Sequence, residues 1–294
     1  MAELAAETPR DRVDVPAAAA ALLAVTLWAS AFVGIRSAGH HLAPGALAIG
    51  RLLVSCTALG LLVLVRREPL PARRDVPLLA LCGVLWFGLY NLALNSAERR
   101  VDAGTASMLV NTGPILIAVL AGVLLREGFP RKLLLGCAVA FAGAALIGFA
   151  TSHHLAPSWG ALLCLAAAAL YATAVVVQKP VLARVSPLMV TWIACTAGTL
   201  VCLPFVGQLW QQGSEAPASS IGWLVYHGLA PSAIGYIARA FALSRTTAGR
   251  MGSTTYLVPP IAIALGWTLL GEVPPGLAIA GGALCLAGVA VARR

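Results

Sequence analysis

Three pairs of residues in this 294-residue chain are of types that can handle a polar solute in apolar surroundings. They are Trp28 with Tyr171, Asn91 with Tyr236, and Asn111 with Tyr256; the first pair stands 143 positions apart and the other two 145. Each places an indole, amide or phenol, able to make hydrogen bonds, within an otherwise apolar run. Such groups can bond neighbouring helices, but their recurrence at one spacing in both halves makes them candidates for substrate contact. Asn91, Asn95, Glu98 and Asp102 follow i, i+4, i+7, i+11, so one helical face grows more polar toward one end. Ser107 and Asn111 form a shorter stripe at i, i+4. Arg239 lies about a turn from the end of its apolar run, where it either snorkels or meets an anion such as a carboxylate. Arg51 stands about two turns inside another run, and its counterpart in the second half is Ala194.

Apolar residues make up 60% of the chain and charged residues 11%, whereas a soluble domain carries about 25% charge. Apolar segments of roughly 20 residues, enough to cross a hydrocarbon core, recur from Ala17 to Ala292. Ala and Leu dominate these continuous runs, which argues for helices over the alternating pattern of a barrel. The expected spans are 17–35, 45–65, 76–97, 104–125, 133–149, 159–177, 188–206, 221–243, 248–270 and 276–292. The sequence therefore predicts an all-α membrane protein of ten transmembrane helices, preceded by a charged tail over residues 1–15.

Net charge is +9, and its placement explains it without a nucleic-acid partner. All the Lys and Arg residues except Arg36, Arg51, Arg99 and Arg100 fall on the side that the predicted topology shares with both termini. Basic residues are retained in cytoplasmic loops, so both termini are expected in the cytoplasm of a cell that carries this protein in its plasma or inner membrane. The bilayer is the expected partner for this basic face.

The repeat extends beyond the polar pairs. "NTGPILIAVLAGVLLRE", Asn111 to Glu127, reappears as "YLVPPIAIALGWTLLGE", Tyr256 to Glu272, with Pro114 matching Pro259 and Glu127 matching Glu272. Gly136 and Gly143 recur as Gly281 and Gly288, and Arg36 pairs with Lys179. Residues 16–150 thus form a first repeat and 151–294 a second. Because each holds five predicted spans, the second enters the membrane from the opposite side, giving two inverted-topology five-helix repeats that can open a shared cavity to either face in turn.

The chain resembles the ten-helix EamA branch of the drug/metabolite transporter superfamily. The likeness rests on "LWASAFVGIRSAGHHLAPGALAIGRLL", the two Pro-x12-Glu segments, and the following "GCAVAFAGAALI" and "GGALCLAGVAVA". It implies a bundle in which helices 1, 3, 4, 6, 8 and 9 line a central cavity, with metabolite export as the commonest role.

Several other chemistries lack their residues. There is no Ser/His/Asp set, HExxH, P-loop or paired midplane carboxylates, so no enzyme activity, cofactor or metal is expected. The seven Cys lie in predicted spans without CxxC spacing and read as packing residues. His40, His41, His153 and His154 fall on loops without a nearby carboxylate, and His227 lies within the eighth span. Glu127 and Glu272 sit at helix ends, where a structural role in the adjoining turn is expected. The absence of a midplane carboxylate leaves proton coupling, exchange and facilitated diffusion open. The expected function is secondary transport of small polar metabolites, with export of amino-acid-like compounds in front and a lipid flippase or a non-transporting scaffold as the alternative. The substrate-contact set is Trp28, Asn91, Asn95, Asn111, Tyr171, Tyr236, Arg239 and Tyr256; oligomeric state is left open.

Overall fold

A computed structural model describes residues 14–38, 42–98, 100, 106, 109–151, 159–271, 273 and 275–293. Asp102, Ser107, His40, His41, His153, His154 and Glu272, with the side chains of Arg36 and Glu98, lie outside what is described. Among the described residues the chain is helical, with no strand. The helices are α1 (Val15–Ala38), α2 (Pro44–Arg66), α3 (residues 76–98), α4 (Gly113–Leu124), α5 (Arg131–Thr151), α6 (Trp159–Val181), α7 (Pro187–Glu215), α8 (residues 218–245), α9 (residues 248–270) and α10 (Gly276–Arg293). Helices α2, α3, α5, α6 and α7 are long and apolar enough to cross a membrane.

Local chemistry accounts for many of the ends. Pro44 and Pro187 stand in the first turns of α2 and α7, where a missing N–H costs nothing. Ser186 Oγ accepts from Met189 N at 3.2 Å, and Thr247 caps α9 by accepting from Arg250 N. Gly271 ends α9 at φ 70°, a left-handed turn that suits glycine.

Four helices are irregular at places that match across the repeat. A π-helical stretch runs from Gly83 to Tyr90 in α3, and another from Gly228 to Ile234 in α8, starting 145 positions later. A turn at Asn111 and Thr112 precedes α4, and the corresponding place in α9 is a 3-10 turn, Thr255–Leu257. Pro231, Pro259 and Pro260 within the predicted spans lead one to expect bends in α8 and α9, whereas the π-helical stretch of α3 contains no proline. Pro114 and Pro259 explain the second pair, since proline removes a donor and disfavours helix before it. Pro231 lies inside the π stretch of α8. In α3 the carboxamide of Asn91 helps hold the stretch, donating to the carbonyls of Trp86 and Phe87 at 3.2 and 2.7 Å. In α8 Trp28 Nε1 donates to Pro231 O at 3.2 Å and Ser55 Oγ to Gly228 O at 3.0 Å. The seventh apolar run also continues past Val206, through Leu203–Phe205 into a helix that ends at Glu215.

Glycines let the helices close up at equivalent places. Gly83 of α3 lies against the carbonyl of Ala194 in α7, and Gly228 of α8 lies against that of Arg51 in α2. Helices α5 and α10 are packed together along Gly136, Gly143, Gly281 and Gly288; a Cβ on Gly143 would stand 2.5 Å from Gly281 O. That apposition of small residues replaces a hydrophobic driving force that lipid does not supply.

The end of the bundle carrying most basic residues is tied shut by polar links. Glu127 accepts from the N–H groups of Ala248 and Gly249 at 2.8 and 3.2 Å, capping α9. Lys179 donates to the carbonyls of Leu243 and Thr246, closing the end of α8. Arg184 pairs with Asp75 at 2.6 Å, and Ser186 donates to Glu68 at 2.6 Å. The guanidinium of Arg184 beside Asp75 holds that carboxyl below its usual range. The opposite end holds a cavity of about 390 Å³ lined by Pro44, Asn95, Arg100, Gln208 and Gln212 among others.

Gly143→Val is expected to destabilise the folded protein by about 1–3 kcal/mol through overpacking, read as a lower unfolding midpoint in detergent. Gly222→Ala, at a site with open space around it, should leave the midpoint unchanged or raise it.

Candidate substrate site

Arg239 is fully buried, at 0% exposure, on α8. It sits there because Ala238, Ala240 and Ala242 around it are small and buried, leaving room for one long side chain that reaches across to α1, α3 and α6. The guanidinium carbon lies 4.6 Å from the ring centre of Trp86, 5.5 Å from Tyr171 and 5.9 Å from Trp28. The rings also pack on one another: Trp86 and Tyr236 at 4.9 Å, Phe87 and Tyr236 at 4.5 Å, Trp86 and Tyr171 at 5.2 Å, Trp28 and Tyr236 at 5.5 Å. Tyr90 approaches Tyr171 at 6.1 Å.

Among the described residues this guanidinium makes one protein hydrogen bond, from Nη2 to the hydroxyl of Tyr171 at 3.3 Å. Tyr171 in turn meets Thr255 Oγ1 at 3.2 Å, linking the site to the 3-10 turn of α9. Arg239 Nε and Nη1 are buried with no hydrogen-bond partner among the described residues. Among the described residues the ion pairs are Arg184 with Asp75 and Arg245 with Asp14, so no carboxylate neutralises Arg239. Cation–π attraction to desolvated rings is worth about 2 kcal/mol. It leaves the three N–H groups on Nε and Nη1 without an acceptor among the described residues, and an uncompensated buried cation costs several kcal/mol. A planar anion is what the arrangement lacks: a carboxylate accepts two parallel bonds from one guanidinium. The surrounding rings would then receive an apolar side chain or an ammonium.

Of the residues singled out from sequence, Trp28, Tyr171, Tyr236 and Arg239 come together here. Asn91 lies one turn beyond Phe87, but both its functions are occupied: it donates to the π-helical carbonyls and accepts from Arg51 Nη2. Asn95 donates to Pro44 O at 3.1 Å and lines the cavity at the far end. Asn111 is half-buried at the turn before α4. Tyr256 is placed apart from the aromatic group, at 0% exposure in a second cluster with Cys137, Ala140 and Cys285 of α5 and α10, its hydroxyl unpartnered. The sequence reading missed Trp86, Phe87 and Tyr90. Their signal was the run "WFGLY" on the third span, whose density of aromatic residues stands out in a chain that is 6% aromatic.

The EamA-like transporter family model matches residues 15–149 and again residues 158–294. The chain belongs to that family. Its two matched segments establish a two-repeat architecture and a multi-pass membrane transporter. A relative from Streptantibioticus cattleyicolor, named a probable terminal-alkyne amino-acid exporter, is 38% identical over 277 residues, covering 94% of this chain and 92% of that one. A probable amino-acid metabolite efflux pump of Salmonella typhimurium is 28% identical over 284 residues, covering 92% of each chain. One solved structure superimposes with a TM-score of 0.78 at 20% identity, covering 95% of this chain and 96% of that chain, which supports the same fold.

The site separates packing from function by stability. Arg239→Met keeps an apolar stem of similar reach and removes a charge without a partner, so the unfolding midpoint in detergent should stay level or rise. Trp86→Ala, by contrast, should cost about 3–5 kcal/mol.

Proposed function

We propose that this EamA-family transporter exports amino-acid-like compounds, with the cargo carboxylate held by Arg239 and its side chain by Trp28, Trp86, Tyr171 and Tyr236. The observation that carries this reading is that the buried Nε and Nη1 of Arg239, inside an aromatic enclosure, have no hydrogen-bond partner among the described residues. The names of the two relatives, an exporter of terminal-alkyne amino acids and an amino-acid metabolite efflux pump, agree with it.

The reading extends to mechanism. Ten spans form two inverted five-helix repeats, residues 16–150 and 151–294, which rock about the shared site. The basic end is cytoplasmic, along with both termini, in the plasma or inner membrane. Glu127, Lys179, Arg184 and Ser186 then close the cytoplasmic side, and the cavity beside Asn95 is the vestibule of an outward-facing state. The equivalent π stretches of α3 and α8 and the equivalent turns at α4 and α9 are where the helices bend, because a wide or broken turn holds fewer regular backbone bonds than an α-helix.

Purified protein in liposomes should exchange propargylglycine or norvaline across the membrane. Arg239→Gln should reduce exchange at least about tenfold, in line with a charge-assisted bond, while Arg239→Lys, a point charge without the planar fork, should retain part of it. Exchange that ignores Arg239 would refute the assigned site. Lipid scrambling with no amino-acid exchange would replace the reading with that of a flippase.

A further inference from the structure

A second group of unsatisfied donors stands one layer further from the basic end. Arg51 of α2 is half-buried; its Nη2 donates to Asn91 Oδ1, and its Nε is buried without a hydrogen-bond partner. His227 precedes the π stretch of α8, is 3% exposed, and its Nε2 is also unpartnered. The two helices touch at this level, since a Cβ on Gly228 would lie 2.9 Å from the carbonyl oxygen of Arg51.

A polar track leaves this group in one direction. Asn91, held by Arg51, is followed one turn later by Asn95, whose side chain lines the far cavity together with Arg100, Gln208 and Gln212. Arg239, Arg51 and Arg100 thus mark successive levels from the buried site to the cavity. No acidic side chain is recorded beside Arg51 or His227 among the described residues.

We propose that Arg51 and His227 form a second carboxylate-binding site, a way station that takes the anionic group of the cargo from Arg239 on its passage to the cavity. This rests on the reading of Arg239 as the cargo site. An anion crossing a low-dielectric interior in one step must lose its partners before gaining others. Sites in series let each be strong enough to accept the ion and weak enough to release it. Arg51 Nε–H is a permanent donor, and His227 supplies a second in the tautomer with hydrogen on Nε2. The partial exposure of Arg51, against complete burial of Arg239, fits the later and looser of two sites.

The test separates binding from passage. Binding of propargylglycine is followed by the fluorescence of Trp28 and Trp86, and exchange is measured in liposomes with the same compound. Arg51→Gln and His227→Leu should bind it within about threefold of the unaltered protein, yet exchange it about tenfold or more slowly. His227→Gln keeps an N–H donor and should restore exchange to within about threefold. Unimpaired exchange by Arg51→Gln would overturn the way station while leaving the Arg239 site standing. So would parallel loss of binding, exchange and unfolding midpoint in Arg51→Gln and Arg51→Lys, which would make Arg51 a clamp for Asn91. If the unaltered protein neither binds nor exchanges any small carboxylate in a panel that includes acetate and phenylalanine, both sites fail together.

Discussion

Backbone polarity inside an apolar medium is the constraint on which this structure turns. A transmembrane helix satisfies its own N–H and C=O groups, and each departure from regular α geometry leaves groups that lipid cannot satisfy. The protein accepts such departures at equivalent places in its two halves and answers several of them with a named side chain: Asn91 for Trp86 and Phe87, Trp28 for Pro231, Ser55 for Gly228. Each of those side chains is thereby held in place. The result is a set of bent helices whose bends face one another, and the aromatic enclosure around Arg239 lies among them.

Charge adds the second constraint. A guanidinium in this interior is tolerated by three rings, one of which, Tyr171, also accepts a hydrogen bond, a partial solvation that leaves Nε and Nη1 without acceptors among the described residues. A protein needing only packing at position 239 would gain from an apolar residue there. The contrast with Lys179 is instructive, because that cation has found two backbone carbonyls at a helix end, and Arg184 has found Asp75. Lys179 and Arg184 are satisfied by the protein itself, whereas Arg239 and Arg51 have donors without partners among the described residues.

The repeat gives these features their logic. Glu127 caps the start of α9 in the way expected of a helix-end carboxylate, and it does so by reaching from the end of one half into the other. Gly83 on Ala194 and Gly228 on Arg51 are the same contact made twice. Where the halves differ, chemistry appears: Ala194 stands opposite Arg51, and Tyr236 stands where the first half has Asn91.

Composition and spacing alone determined the helical membrane character, the approximate ends of the apolar runs and the duplication, because each depends on properties that are local or strictly periodic along the chain. They also picked out Trp28, Tyr171, Tyr236 and Arg239, since a polar or cationic side chain in an apolar run is conspicuous without coordinates. Only tertiary structure decided which of the polar residues share a site. Tyr256 matches Asn111 in the repeat yet turns into the α5 and α10 cluster, the carboxamide nitrogen of Asn91 is consumed by its own helix, and Trp86, which the sequence reading did not single out, becomes the nearest ring to Arg239. The reason is geometric: one extra residue in a π turn rotates every side chain beyond it by about 100°, and no apolar pattern in this chain announces where that rotation falls.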